Sequence, residues 1–270
     1  MLVPAYNEAA TVGLLLWKVR QVFTAFPREY QLLVVDDCST DGTDAVLAPY
    51  ARALPLTLVT HRERRGYARS LEELLRLATS RTDRPRRDLA VLLQADFSDP
   101  PDDIPELVKR IESGADLALA DYRRRPGLPR LEALGRRLVA LLARGRAGAL
   151  EHVGTLKAMR LVTLARVLSA RGGKPLLERD GWAADVELLH AVSEHARRVD
   201  VVPVTSVVQP RRREPRAKPL RSVWEVWRVL RSAHRADGRP ARPGGARSDR
   251  SRRRGRGESR DTAPASVPSA

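Results

Sequence analysis

Leu32-Leu33-Val34-Val35-Asp36-Asp37-Cys38-Ser39-Thr40-Asp41-Gly42-Thr43 is the stretch that decides how this chain folds. Four apolar residues stand in a row without polar alternation, so both faces of the segment must be covered. That is the pattern of a strand inside a parallel sheet. Two carboxylates close the run, and Ser39 to Thr43 then offers turn and capping residues for a following helix. Carboxylates at the carboxyl end of a parallel strand stand where open α/β sheets take up ligands. For an isolated Asp-Asp pair, a plain acidic turn is the competing reading. Upstream, Pro4-Ala5-Tyr6-Asn7-Glu8 follows a short apolar start and belongs to the same pattern.

Working outward, strand-like and helix-like segments alternate to about residue 122. Thr11 to Phe26 reads as an amphipathic helix with Val12, Leu15, Leu16, Val19 and Phe23 on one face. Thr43 to Leu54, Ala68 to Ser80 and Asp103 to Ser113 read as further helices. Leu56 to Thr60, Asp88 to Gln94 and Asp116 to Ala120 read as strands. This βαβα succession predicts an α/β fold, a mostly parallel sheet flanked by helices on both faces. Residues 130 to 170 read as largely helical, and Val199 to Val208 as a late strand. Only Met1-Leu2-Val3 precede Pro4, so the first strand is either stunted or begins upstream of this start; the second is the expectation.

A chain of 270 residues with 43% hydrophobic content can bury one sizeable core. Its single cysteine, Cys38, excludes an internal disulfide framework and suits a reducing compartment. No run of eighteen apolar residues appears, so no membrane-spanning helix is expected. The net charge is +16, and only five of the 49 basic residues are Lys. Arginine richness alone is weak evidence for a phosphate-binding surface. From Gly238 the composition falls to Arg, Gly, Pro, Ser and Ala, which cannot bury enough apolar surface to order itself. The expected organisation is a domain over 1–210, a basic amphipathic helix over 211–236 and a disordered Arg-rich tail over 237–270.

With these blocks in view, "VPAYNEA" and "VVDDCSTDGT" resemble the opening of family-2 glycosyltransferases of the GT-A fold, a Rossmann-like α/β architecture. Leu92 to Pro105, which contains Gln94-Ala95-Asp96-Phe97-Ser98-Asp99-Pro100-Pro101, resembles the D-x-D block of the dolichyl-phosphate mannosyl- and glucosyltransferase branch. A nucleoside diphosphate leaving group is strongly anionic, and a Mg²⁺ or Mn²⁺ ion held by carboxylates neutralises it. The resemblance places that cation at Asp96 and Ser98, with Asp96 also acting in catalysis. Gln94 replaces the first Asp of the motif, which removes one charge; restoring Asp there is expected to tighten metal binding. The donor's nucleotide and diphosphate are implied to meet Pro4, Tyr6, Glu8, Asp37, Gly66, Arg69, Gln94 and Ala95. Gly66 permits close backbone approach, and the helix N-terminus after it suits a phosphate.

Asp180 to Leu189 resembles the "W-x-x-D-V-E-L-L" phrase of the same branch, which makes Asp185 the second catalytic candidate. With a hydroxyl acceptor it would act as general base; with a phosphate acceptor it would position the sugar or an arginine. An exposed acid at a helix start is the third possibility. Glu151 to Arg160 resembles a degraded "D-T-Q-C-G-F-K-x-F-R" in which Lys157 and Arg160 survive. Arg123 and Arg130 fall where the family has an acceptor-facing basic loop, which could hold a lipid phosphate; a plain solvated turn is the competing reading.

The resemblance implies a nucleotide-sugar donor and a polyprenyl-phosphate acceptor, at the cytoplasmic face of a membrane. Residues 220–235 fit that location, because Trp224 and Trp227 oppose an arginine stripe, as an interfacial helix would. Docking of those tryptophans on the domain core is the alternative. The basic run Arg211 to Arg216 would face anionic lipid. No nucleic-acid partner is expected, since the tail lacks interleaved aromatics. Two other functions remain open at this point: a soluble transferase with a hydroxyl acceptor, and a catalytically weakened GT-A domain with a binding role.

Overall fold

The computed structural model describes residues 1–121 and 155–203. The order of elements is β1 (Leu2–Ala5), α1 (Val12–Ala25), β2 (Leu32–Asp36), α2 (Thr43–Ala53), β3 (Leu56–Thr60), α3 (Tyr67–Arg81), β4 (Leu89–Leu92), a 3₁₀ turn (Pro101–Asp103), α4 (Ile104–Glu112), β5 (Leu117–Asp121), β6 (Lys157–Arg160), α5 (Leu161–Ala170), α6 (Trp182–His195) and β7 (Val199–Pro203). The strands form one sheet in the order β3-β2-β1-β4-β6-β5-β7. All neighbours run parallel except β6, which is antiparallel to both β4 and β5. The predicted α/β architecture, mostly parallel with helices on both faces, is the one observed.

Strand residues alternate between two cores. Leu33, Val35, Leu92, Leu117, Leu119 and Met159 pack with α3, α5 and α6. Leu32, Val34, Val91, Leu93 and Ala118 pack with α1, α2 and α4. This explains why β2 reads as an unbroken apolar run: each of its faces meets a helical layer. The predicted face of α1 is borne out, since Val12, Leu15, Leu16, Val19 and Phe23 are all buried.

One prediction fails. Lys157–Arg160 lies within the stretch expected to be helical, yet it is a strand near the middle of the sheet. Four residues are too few to carry a period, and a lysine is seldom expected inside. The helical expectation for 130–154 and the Arg-rich tail lie outside the described residues, as does the strand continuation past Pro203.

Pro4 stands in a strand with neighbours on both sides, where a proline is unusual. The register explains it. Leu93 N–H donates to Leu2 O on the β4 side, and Asp37 N–H donates to Ala5 O on the β2 side. Successive residues alternate sides, so Pro4 turns its missing donor toward β4. There the ladder has already ended at the pair Leu2↔Leu92. β1 and β4 therefore part at Pro4. The sheet order reverses at this same point, with β2 and β3 to one side of β1 and β4 to the other. A crevice at such a switch point is the usual ligand position in open α/β sheets.

Candidate active site

The loops after β1, β2 and β4 line this crevice, and each carries a non-glycine residue in the left-handed region: Asn7 (φ 53°), Cys38 (φ 59°) and Phe97 (φ 60°). Such backbone is sparsely populated and is kept where the surroundings enforce it, commonly at functional sites. The β1 and β2 loops enforce each other. Asn7 N–H donates to Ser39 Oγ at 2.8 Å, and Glu8 N–H to Thr43 Oγ1 at 2.8 Å. Thr40 N–H returns a bond to Asn7 Oδ1 at 2.7 Å. Glu8 is nearly buried, and its Oε2 accepts from Thr11 Oγ1 at 2.8 Å. Tyr6 lies beneath the guanidinium of Arg64, 4.1 Å from the ring centroid.

Asp37 is buried and clamps the loop that follows β3. Its Oδ1 accepts from Arg65 N–H at 2.7 Å and contacts His61 Nδ1 at 2.7 Å; its Oδ2 accepts from Gly66 N–H at 2.8 Å. The other nitrogen of His61 lies 2.9 Å from Glu73 Oε2. Two carboxylates on the two ring nitrogens require both nitrogens to donate, which is the imidazolium form. Burial pulls the His61 pKa down, but the bonds to Asp37 and Glu73 overcome it and the net shift is upward.

Gly66, at φ 90° and ψ 163°, occupies backbone that only glycine enters readily. A Cβ there would stand 3.0 Å from Asp180 Oδ2. Asp180 reaches this point to accept from Ala68 N–H at 2.8 Å. The amides at the start of α3 are thus met by protein carboxylates, Asp37 and Asp180. Arg69 is turned outward: its side chain is 53% exposed and 3.9 Å from Glu72. With Arg64, Arg65, Glu73 and Arg76 it lines a mixed-charge groove of about 660 Å³ on the outer side of α3, beside the crevice.

The centre of the site is a chain of four side chains from four elements. Gln94 Nε2 donates to Tyr67 Oη at 2.8 Å. Tyr67 Oη donates to Asp185 Oδ2 at 3.0 Å. Lys157 Nζ sits 2.5 Å from Asp185 Oδ1. The Lys157 and Asp185 side chains are 1% and 2% exposed. Asp185 is therefore a buried acid paired to a buried lysine, and the exposed helix-start reading is wrong. Burial, and then the neighbouring charge of Asp185, hold the Tyr67 phenol well above its ordinary range. Gln94 N–H also donates to Asp99 Oδ2 at 3.2 Å, and Asp99 Oδ1 accepts from Thr155 Oγ1 at 2.7 Å. Ala95 beside it is buried.

Asp96 is half-buried, and its Oδ1 accepts from Ser98 N–H at 2.9 Å. Among the described residues no three His, Cys, Asp or Glu side chains converge as a metal cage. One carboxylate at a crevice edge suits instead a hard cation that takes its remaining ligands from a diphosphate and water. Arg160, the other survivor of its block, is structural: it donates to Arg86 O at 2.6 Å and Ala115 O at 3.0 Å. Arg123 and Arg130 lie outside the described residues. Sequence reading missed His61 and Tyr67, single residues whose only signals are their places after β3 and after Gly66.

The family model for glycosyl transferase family 2 matches residues 1–161. Over 126 residues the sequence is 30% identical to an undecaprenyl-phosphate 4-deoxy-4-formamido-L-arabinose transferase of Pseudomonas paraeruginosa, covering 46% of this chain and 36% of that protein. The protein of the same name from Aeromonas hydrophila is 28% identical over 117 residues, covering 43% and 34%. The chain spans about a third of the length of these curated relatives. Mannosyl-3-phosphoglycerate synthase from Rubrobacter xylanophilus superposes with a TM-score of 0.63 at 21% identity, over 92% of this chain and 76% of that one. Glucosyl-3-phosphoglycerate synthase from Mycobacterium tuberculosis, solved with Mn²⁺, UDP and glucosyl-3-phosphoglycerate, gives 0.57 at 20% over 89% and 80%. A mannosyltransferase from Pyrobaculum calidifontis, solved with GDP-Man and Mn²⁺, gives 0.54 at 24% over 89% and 64%. At these identities the structural likeness is one of fold.

Proposed function

Because this chain belongs to glycosyl transferase family 2, we propose that it moves a sugar from a nucleotide-sugar donor to a polyprenyl phosphate, inverting the anomeric carbon. The names of the curated relatives support a polyprenyl-phosphate acceptor. The observation that carries the reading is the state of Asp185. A hydroxyl acceptor needs a carboxylate within reach of its proton. Both oxygens of Asp185 are engaged, by Lys157 and Tyr67, and the side chain is 2% exposed. A phosphate acceptor has no such need, because it is already anionic at neutral pH.

In the proposed step, an oxygen of the acceptor phosphate forms a bond to the anomeric carbon. The bond from that carbon to the donor's diphosphate oxygen breaks on the opposite side, and its electron pair leaves with the nucleoside diphosphate. No proton has to move. A divalent cation, Mg²⁺ or Mn²⁺, bound at Asp96 beside Ser98 supplies charge neutralisation for that leaving group. Asp37 and Gly66 hold the wall of the crevice. Tyr6 with Arg64 on its ring offers a flat, cationic surface to the nucleotide. The Asp185–Lys157 pair positions neighbouring groups.

The acceptor brings the domain to a bilayer. No helix among the described residues is long and apolar enough to cross one. Residues 211–236, outside the described part, are the proposed contact with the anionic inner face, and high salt should weaken it. The test is incubation of the full chain with vesicles containing undecaprenyl phosphate, a panel of UDP- and GDP-sugars, and Mg²⁺ or Mn²⁺. The expected product is a lipid-soluble sugar released by mild acid, as a glycosyl phosphodiester would be. Transfer only to soluble hydroxyl compounds would overturn the acceptor assignment.

A further inference from the structure

Gln94 is where this chain leaves the D-x-D pattern, and its surroundings supply a physical reason. The amide nitrogen donates to Tyr67 Oη at 2.8 Å, and the phenol passes its only proton to Asp185 Oδ2 at 3.0 Å. Lys157 closes the chain from the far side at 2.5 Å. The phenol oxygen therefore needs a donor at position 94. A carboxylate has none to give. Asp at 94 is one methylene shorter: held back, it leaves the phenol oxygen without a donor, and drawn up to the phenol, it competes with Asp185 for the one phenolic proton beside the buried Lys157 pair.

We propose that Tyr67 is a positioning residue that fixes the identity of position 94, turning the first motif position from a cation ligand into a hydrogen-bond donor and leaving Asp96 as the carboxylate that holds the cation. This inference rests on the reading of the crevice as a nucleotide-sugar site. It reverses the simple expectation that Asp at 94 tightens metal binding. Tyr67 does so from a fixed place: it starts α3 directly after Gly66, and its Oη lies between Gln94 Nε2 and Asp185 Oδ2. The backbone of Gln94 is pinned as well, through Asp99 and Thr155, so the side chain cannot retreat from the phenol by shifting its main chain.

The claim is one of coupling, so the test is a double-mutant cycle on the full chain: wild type, Gln94→Asp, Tyr67→Phe and the double variant. Two readouts are taken. The first is Mn²⁺ binding in the presence of UDP or GDP, followed by electron paramagnetic resonance of the free ion. The second is the thermal unfolding midpoint without nucleotide or metal. Gln94→Asp alone should leave Mn²⁺ affinity within about twofold of wild type. The double variant, with the phenol oxygen removed, should bind Mn²⁺ at least about tenfold more tightly, because a charged oxygen is then available to a hard cation. Tyr67→Phe should lower the midpoint more when residue 94 is Gln than when it is Asp, since the bond to Asp185 is lost in both cases but an amide donor loses its acceptor only with Gln.

Equal tightening in Gln94→Asp and in the double variant would overturn the proposal, and so would midpoint effects that simply add. If no variant binds Mn²⁺ with either nucleotide, the nucleotide-site reading fails. The non-additivity of the midpoint effects then still decides whether Tyr67 fixes position 94.

Discussion

Replacing Lys157 by Met should be among the most damaging single changes in this chain. The substitution keeps the length and apolar body of the side chain and removes only the ammonium. Asp185 Oδ1, 2.5 Å from that ammonium, is then left buried without its counter-charge. Breaking a buried pair by removing one partner costs about 3–5 kcal/mol. With a denaturant slope of roughly 2 kcal/mol/M, the urea midpoint should fall by about 2 M. The double variant Lys157→Met, Asp185→Leu removes the stranded charge as well and should recover most of the loss. It keeps a deficit of about 1–3 kcal/mol, because the Tyr67 hydroxyl loses its acceptor. Urea unfolding at neutral pH, followed by tryptophan fluorescence and by circular dichroism, measures all three proteins. A single-variant loss below about 1 kcal/mol, or a double variant no better than the single, would refute the argument that Asp185 is held as a buried anion.

Three further outcomes can be checked. The folded pKa of His61 lies above its unfolded value of about 6.5, so its stabilisation is complete below that value and lost as pH rises through the folded pKa; the unfolding midpoint should fall over that window, and His61→Gln should flatten the fall. Gly66→Ala forces a side chain into glycine-only backbone and toward Asp180 Oδ2, costing about 1–3 kcal/mol, seen as a lowered midpoint together with weakened nucleotide binding. Asp96→Ala should abolish metal-dependent nucleotide binding in calorimetry while leaving the unfolding midpoint close to wild type; unchanged affinity would remove Asp96 from the cation site.

The parts of the fold legible in the sequence are those whose burial is symmetric or periodic. β2 declares itself because both faces are covered, and α1 because one face is. β6 does not, because its four residues include a charged side chain at each end. Only the sheet's order places Lys157 in the interior, where Asp185 from a distant helix meets it. The site divides the same way. Asp37, Asp96 and Asp185 stand in recognisable phrases, so their importance can be read. Their partners cannot: nothing local says that Asp37 holds Arg65 and Gly66, or that Gln94 answers to Tyr67 across 27 positions. Those pairings follow from where parallel strands end, which is a property of the assembled sheet.

The join between β5 and β6 has a consequence for how this chain tolerates changes of length. These two strands are antiparallel neighbours, and Ala120 N–H still donates to Leu156 O at 3.3 Å at the end of their ladder. The described chain thus breaks off at Asp121 and resumes at Thr155 at adjoining points of the sheet. Closing a longer or shorter excursion there adds little entropy, since the cost grows only with the logarithm of its length. A connection of another length between these two points would leave the pairing of β5 with β6 as it is, so the sheet can take insertion or deletion there at a cost of only about 0.6 kcal/mol for each doubling of length.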